Sequence, residues 1–184
     1  RAAFVEVGAG SGLPSLVAAR ACANSYHPIM ATDFTEAGEQ LLRANAAHNG
    51  VAMHVERLEL SEEHGALAEM VERVVLASCG DSAGVCVCAA EICYDKQVID
   101  ALFAAVALMW RRRAAAHPNN RLLFARSSHF EHMDETMLQL AGCHELRLHA
   151  RARRCTPGVL DCFASNGYTG CDDDDVEVFT FTPG

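Results

Sequence analysis

The sequence predicts an α/β fold, a doubly wound, mostly parallel sheet of seven strands closed by an antiparallel C-terminal hairpin. Three observations predict it. Short apolar runs alternate with segments of helical period along most of the chain. The run Val5-Glu6-Val7-Gly8-Ala9-Gly10-Ser11-Gly12 ends an apolar strand in three alternating glycines, and a helical pattern follows at once. The last two strand-like stretches, His144 to Arg154 and Val176 to Thr182, have no helical segment between them.

Ala3 to Val7 is apolar enough for a buried parallel strand. A helix over Leu13 to Asn24 follows, with Leu13, Leu16, Val17 and Ala21 as its inward stripe and Pro14 in the first turn, where no N–H is needed. Ile29 to Thr32 is the second strand and ends in Asp33. The helix beginning at Thr35 carries Glu36 near its positive end and turns Leu41, Leu42 and Asn45 inward; Asn49-Gly50 stops it. Val51 to Leu60 is the third strand, and Glu62 to Ala77 a helix with Leu67, Met70, Val71 and Val74 inward. A loop over Cys79 to Gly84 leads to Val85 to Ile92, an almost continuous run of small apolar residues suited to a central strand.

Gln97 to Trp110 is the longest amphipathic helix, with Ile99, Leu102, Phe103, Val106 and Trp110 on its core stripe. Arg111, Arg112 and Arg113 at its end suit the helix dipole and solvent better than nucleic acid. Arg121 to Ala125 is strand five. Met133 to Ala141 is a helix stopped by Gly142. His144 to Arg154 alternates as a half-exposed strand, and Val176, Val178, Phe179 and Phe181 mark the last one. The loop with Cys171 and Asp172 to Asp175 is a solvated tip, since its aspartates lack calcium-loop spacing.

The chain of 184 residues is one domain, 1–184. Arg1 stands where an initiating Met would be, and a strand begins beside it, so a segment before residue 1 is expected to be missing. A net charge of −9 disfavours a nucleic-acid binder and favours basic protein substrates. No apolar run is long enough to cross a bilayer. The nine cysteines form no CxxC pair and sit singly or inside apolar runs, as free thiols do in a reducing cytoplasmic or nuclear compartment. No His/Cys cluster has metal-ligand spacing, so no metal is expected.

The glycine turn sets the ligand class. A dinucleotide turn is GxGxxG; here the pattern is GxGxG, with Leu13 where the third glycine of a dinucleotide turn would fall. Asp33 follows about 20 positions on, where an acid accepts ribose hydroxyls. The pair indicates a ribose-bearing ligand, and the glycine spacing points away from a nicotinamide.

Glu6-Val7-Gly8-Ala9-Gly10-Ser11-Gly12 resembles motif I of the class I S-adenosylmethionine-dependent methyltransferases, which have a Rossmann-like fold. Ala31-Thr32-Asp33-Phe34 is similar to their second-strand acid motif. Leu42 to Asn49 and Ala90-Glu91-Ile92-Cys93-Tyr94-Asp95 resemble motifs of the seven-β-strand protein lysine methyltransferases, the METTL21-like group. The resemblance spans nearly the whole chain. It implies S-adenosyl-L-methionine as cofactor and a lysine of a protein as acceptor, with the enzyme a monomer.

Carried over by position, the resemblance gives Gly8, Ala9, Gly10 and Gly12 the approach to the methionine part of the cofactor. Glu6 organises that turn or reaches the amino group. Asp33 takes the ribose diol, Phe34 flanks the adenine, Glu59 meets its amine, and Ala89 and Ala90 line the floor. Glu91 and Tyr94 face the substrate amine as the catalytic pair. The competing reading of Glu91 is a buried acid paired with an arginine, and of Tyr94 a core aromatic. The other functions open to the sequence are a methyltransferase for a small molecule or RNA, and a binding protein that keeps the fold without catalysis.

Overall fold

Six consecutive buried residues, Ala2–Val7, form β1, and burial on both faces is what a central parallel strand requires. The structure is a computed structural model and describes residues 1–60, 65–79, 83–92, 94–112, 117–154 and 176–184. β1 lies between β2 (Tyr26–Asp33) and β4 (Gly84–Ala90), parallel to both. With β3 (His54–Arg57), β5 (Arg121–Ser127), β6 (Leu146–Arg154) and β7 (Val176–Pro183), the sheet runs β3-β2-β1-β4-β5-β7-β6. β7 is antiparallel to β5 and β6, and the other pairs are parallel. The expected seven-stranded mixed sheet is the one that forms.

Among the described residues five α-helices connect these strands: α1 (Leu13–Ala21), α2 (Glu36–Asn49), α3 (Gly65–Cys79), α4 (Lys96–Arg112) and α5 (Asp134–Cys143), the last preceded by a 3-10 turn at Ser128–Met133. Alternate residues of β1 enter different cores. Ala3, Val5 and Val7 pack in the large core with α3, α4 and α5, whereas Phe4 packs with Ala18 of α1. α4 fills the middle of the large core, and Phe103 meets Phe124 and Phe181 at ring distances of 5.9 and 5.4 Å. Its predicted stripe of Ile99, Leu102, Phe103, Val106 and Trp110 is fully buried.

Several expected details differ, each for a local reason. α1 ends at Ala21 and turns Ser15 and Ala18 inward, leaving Leu13 63% and Val17 51% exposed. The bonds from Ser15 to buried Glu6 fix that rotation against the apolar stripe. In α2 Leu42 is buried but Leu41 is exposed, and Asn45 donates to the Ser11 carbonyl at 2.8 Å. β2 begins earlier, at Tyr26, and β3 is shorter than Val51 to Leu60 because it pairs only with the four β2 residues Met30 to Asp33. β4 stops at Ala90, where Glu91 takes a positive φ of 56°.

Gly142 lies inside α5 and does not stop it; Glu145, with φ 59°, makes the left-handed turn. β7 points Glu177, Phe179 and Phe181 inward, not Val176 and Val178. The stop at Gly50 is as expected, left-handed at φ 62°. Arg111 and Arg112 reach Glu145 and Glu72 at 3.5 and 3.8 Å on an exposed helix end. Arg113, Cys171 and the aspartates 172–175 lie outside the described residues. No described helix is long and apolar enough to cross a membrane.

Candidate functional site

The three turn glycines follow β1 at its carboxyl end, all left-handed, with φ of 67°, 53° and 76° at Gly8, Gly10 and Gly12. Two of them also need the missing side chain. A Cβ on Gly8 would stand 2.8 Å from Ile92 Cγ2, and one on Gly12 would stand 2.5 Å from Leu42 Cδ2. The turn is tied down by its neighbours: Ala9 N donates to the Thr32 carbonyl at 2.8 Å, and Thr32 Oγ1 donates to the Glu6 carbonyl at 3.1 Å.

Glu6 is 3% exposed, and its Oε2 accepts from Ser15 N at 2.8 Å and Ser15 Oγ at 2.5 Å. It therefore holds the first turn of α1 against β1. Burial pushes its pKa above the ordinary glutamate value, while the two Ser15 bonds pull the other way. Asp33, also buried, joins three elements. Oδ2 accepts from Gly10 N at 3.0 Å, and Oδ1 accepts from Thr35 N and Oγ1 at 3.0 and 2.9 Å. Thr35 in turn caps α2 by accepting from Gly38 N.

In front of this turn lies a cavity of about 220 Å³ at the carboxyl ends of the strands. Val7 and Gly8 form its base, Leu58, Glu59 and Leu60 one wall, and Ile92, Tyr94 and Val98 the other, with Phe34 at the mouth. Of the residues expected from the sequence, Gly8, Phe34, Glu59 and Tyr94 line it. Phe34 and Tyr94 are 61% and 59% exposed, so Tyr94 is a rim residue and not a core aromatic. Glu6, Ala9, Gly10, Gly12 and Asp33 do not line it; Glu6 and Asp33 brace the turn through Ser15 and Gly10. Ala89 is buried among the residues packed with α4, and Ala90 is half-buried; neither lines the cavity.

Glu91 is exposed, and among the described residues no arginine pairs with it. Its carboxylate accepts from Ser127 N and from Ser127 Oγ, the latter at 3.0 Å, and its own N–H donates to the Ala125 carbonyl at 3.0 Å. The left-handed backbone at Glu91 turns the chain so that these bonds join the ends of β4 and β5. Such a conformation in a non-glycine residue is uncommon and concentrates at functional sites.

Sequence reasoning missed Ser127 and the ion cluster beside it. Arg126 lies buried on β5, with Nε and Nη2 each 2.7 Å from an Asp134 oxygen and Nη2 2.5 Å from Glu177 Oε2. Arg151 reaches the same two acids at 2.8 and 2.6 Å. The Phe179 ring lies beneath both guanidinium groups, 5.6 and 4.9 Å from centroid to Cζ. The Asp134 bonds, with Glu177 nearby, hold Arg126 above its ordinary pKa and so firmly charged. Among the described residues no group of three or more His, Cys, Asp or Glu is placed to hold a metal ion.

No family model and no curated protein matches the chain by sequence. Solved structures do match by shape. A TehB-like S-adenosylmethionine-dependent methyltransferase from Corynebacterium glutamicum covers all of this chain and 80% of its own, with a TM-score of 0.61 at 12% identity. The fold is that of the class I S-adenosylmethionine-dependent methyltransferases. The ribosomal protein L11 methylase from Lactobacillus delbrueckii subsp. bulgaricus matches 99% of this chain and 70% of its own, with a TM-score of 0.54 at 13% identity. The [4+2]-cyclase SpnF matches 99% of this chain and 74% of its own at 0.58 and 10% identity. The methyltransferase fold thus also carries other chemistry, and likeness of shape alone does not assign a reaction.

Proposed function

We propose that the protein is an S-adenosylmethionine-dependent methyltransferase whose acceptor is a lysine side chain of a protein substrate, as in the seven-β-strand lysine methyltransferases. The observation that carries the cofactor half is the glycine turn braced by Glu6 and Asp33 behind an apolar cavity. The residues suit that cofactor. Phe34, Leu58, Ile92 and Val98 offer apolar surface for a planar base, and Glu59 at the rim offers an acceptor for its amine. Gly8 leaves the backbone bare where the cofactor chain would pass. Three of about four acceptor positions on Asp33 are used by Gly10 and Thr35, which leaves one on Oδ2 for a ribose hydroxyl.

S-adenosylmethionine, when bound, supplies a methyl group already activated on a sulfonium, so the protein need only position the acceptor and exclude water. The incoming ammonium must first lose a proton, and desolvation favours that loss. Glu91 uses two of about four acceptor positions on Ser127, so it can still hold an ammonium. Tyr94 stands at the cavity rim, where its hydroxyl can orient the amine. The net charge of −9 favours approach of a basic protein segment over RNA. Nine cysteines with no CxxC pair among them suit a reducing compartment, cytoplasm or nucleus.

Calorimetric titration with S-adenosylmethionine tests the cofactor half, and an absence of binding heat would overturn it. Transfer of labelled methyl into a proteome extract, with and without ribonuclease, tests the acceptor. Protein label that survives ribonuclease is expected. A Glu91→Gln variant should bind cofactor normally and transfer poorly; normal transfer would remove Glu91 from the acceptor site. The likeness to SpnF supports a second reading, an enzyme for a small molecule on the same fold. Cofactor binding with no label in protein would favour it.

A further inference from the structure

The end of the sheet opposite the glycine turn holds a second cavity, about 380 Å³, at the first residues of β1, β2 and β5. That volume falls in the range of small-ligand sites, roughly 300–1,000 Å³. Its polar lining is Arg1, Asn24, Ser25, Tyr26, Asn119 and Arg121, and buried Cys86 lies at its floor.

Backbone bonds fix both walls. On one side Ala2 N donates to the Ser25 carbonyl at 3.0 Å, and Ser25 N and Tyr26 N donate to the Cys22 carbonyl at 2.8 and 3.0 Å. The Tyr26 ring is held 5.3 Å from that of Phe4. On the other side Asn119 N donates to His117 Nδ1 at 3.1 Å, and buried Asn120 accepts from Val85 N at 3.0 Å.

The charge of this cavity is the reverse of the chain's. The protein carries −9 overall, yet among the described residues no carboxylate lines the cavity. Arg43, Arg73, Arg126 and Arg151 are each bridged to an acid, whereas no described carboxylate bridges Arg1 or Arg121. Burial pushes the Tyr26 hydroxyl up to about 12 and the Cys86 thiol up to about 11, so neither adds negative charge at neutral pH. The lining is therefore two unbridged guanidinium groups and several neutral donors facing a shared space. A guanidinium fork with carboxamide and hydroxyl donors matches the oxygens of a phosphate or carboxylate.

We propose that this cavity is a binding site for a small polyanion, bearing a phosphate or clustered carboxylates, with Arg121 and Arg1 supplying the charge and Asn24, Ser25 and Asn119 the neutral bonds. It lies at the far end of the strands from the glycine turn and does not depend on the methyl-transfer reading.

The test is an NMR titration of the whole chain with inorganic phosphate and, separately, with citrate, at constant ionic strength. Saturable shifts are expected at the amides of Ser25, Tyr26 and Arg121, and the probe that saturates them identifies the anion class. Arg121→Gln should weaken binding roughly tenfold, the loss of charge-assisted bonds. Asn119→Asp, in an exposed turn, places a carboxylate in the cavity and should weaken it at least as much, with an unchanged melting temperature. Shifts confined to Gly8 through Gly12 would instead mark the α1 N-terminus as the anion site and overturn the proposal. Failure of both probes to saturate at millimolar concentration would overturn it too, as would an unchanged dissociation constant in both variants.

Discussion

In the half of the sheet that carries the glycine turn, Glu6 and Asp33 are satisfied by amides and hydroxyls of Ser15, Gly10 and Thr35. In the half built from β5, β7 and β6, Asp134 and Glu177 are satisfied by Arg126 and Arg151. Neutral donors bring no opposite charge, so the first half holds its two buried acids with no cation among their described partners. The second half cancels two acids with two cations and presents a rigid, neutral wall. The first arrangement is suited to holding hydroxyls and amines, the second to fixing the ends of β5 and β7 where Ser127 and Glu91 meet.

Breaking the ionic half should have the largest effect. Arg126→Met leaves Asp134 and Glu177 sharing only the half-exposed Arg151, and should cost about 3–5 kcal/mol of stability. Urea unfolding measures it, and a loss below 1 kcal/mol, roughly the worth of a surface pair, would show the cluster to be ornamental. In the amide-held half, Asp33→Ala should weaken S-adenosylmethionine binding by about 1–3 kcal/mol, the loss of charged hydrogen bonds. An unchanged dissociation constant in calorimetry would contradict the ribose assignment.

The smallest effect expected is a pH dependence at Glu6. Its folded pKa is raised, chiefly by burial. Its protonated form is therefore favoured by folding, and the stability this gives is complete below the ordinary glutamate range and lost as pH rises through the raised value. Glu6→Gln carries no such dependence and keeps an oxygen for Ser15 N. The variant should gain on the wild type as pH rises through that window, when unfolding is compared on either side of it. A constant difference between the two proteins would mean that Ser15 fully offsets burial. No matching loss is expected on the Arg126 side, where its hydrogen bonds to Asp134 keep the guanidinium charged.

The contrast also explains what the sequence made legible. The amide-held half is local. Ser15 is nine residues from Glu6, and the glycines, Asp33 and the Thr35 cap lie in short runs with recognisable spacing. The ionic half joins residues 51 apart, Arg126 and Glu177, so no motif contains it. A trace of it was present in strand phase. Arg126 shares the inward phase of Leu122 and Phe124, and Glu177 that of Phe179 and Phe181. Opposite charges at inward positions of two strands signal a buried pair, but choosing Asp134 and Arg151 as further members needs the topology. The inward face of α1 differs from its apolar stripe for a related reason. One polar contact, Ser15 to Glu6, outweighed an apolar stripe that hydrophobic spacing alone ranks first. The cavity walls at Leu58, Ile92 and Val98 carry no chemistry-bearing side chain and left no mark in the sequence.

The sheet order has a further consequence for biosynthesis. β7 follows β6 in the chain yet sits between β5 and β6. While a ribosome is still extending the chain, β1 through β5 can pair with their final neighbours, but β6 has no partner and β5 an open edge. Arg126 then has Asp134 within reach and Glu177 not yet made. The nascent protein therefore holds its glycine turn early and an exposed strand edge late, the interval in which an unpaired edge invites association with other chains. A stall placed before residue 176 should leave the nascent chain dependent on chaperones, and emergence of residues 176–183 should end that dependence.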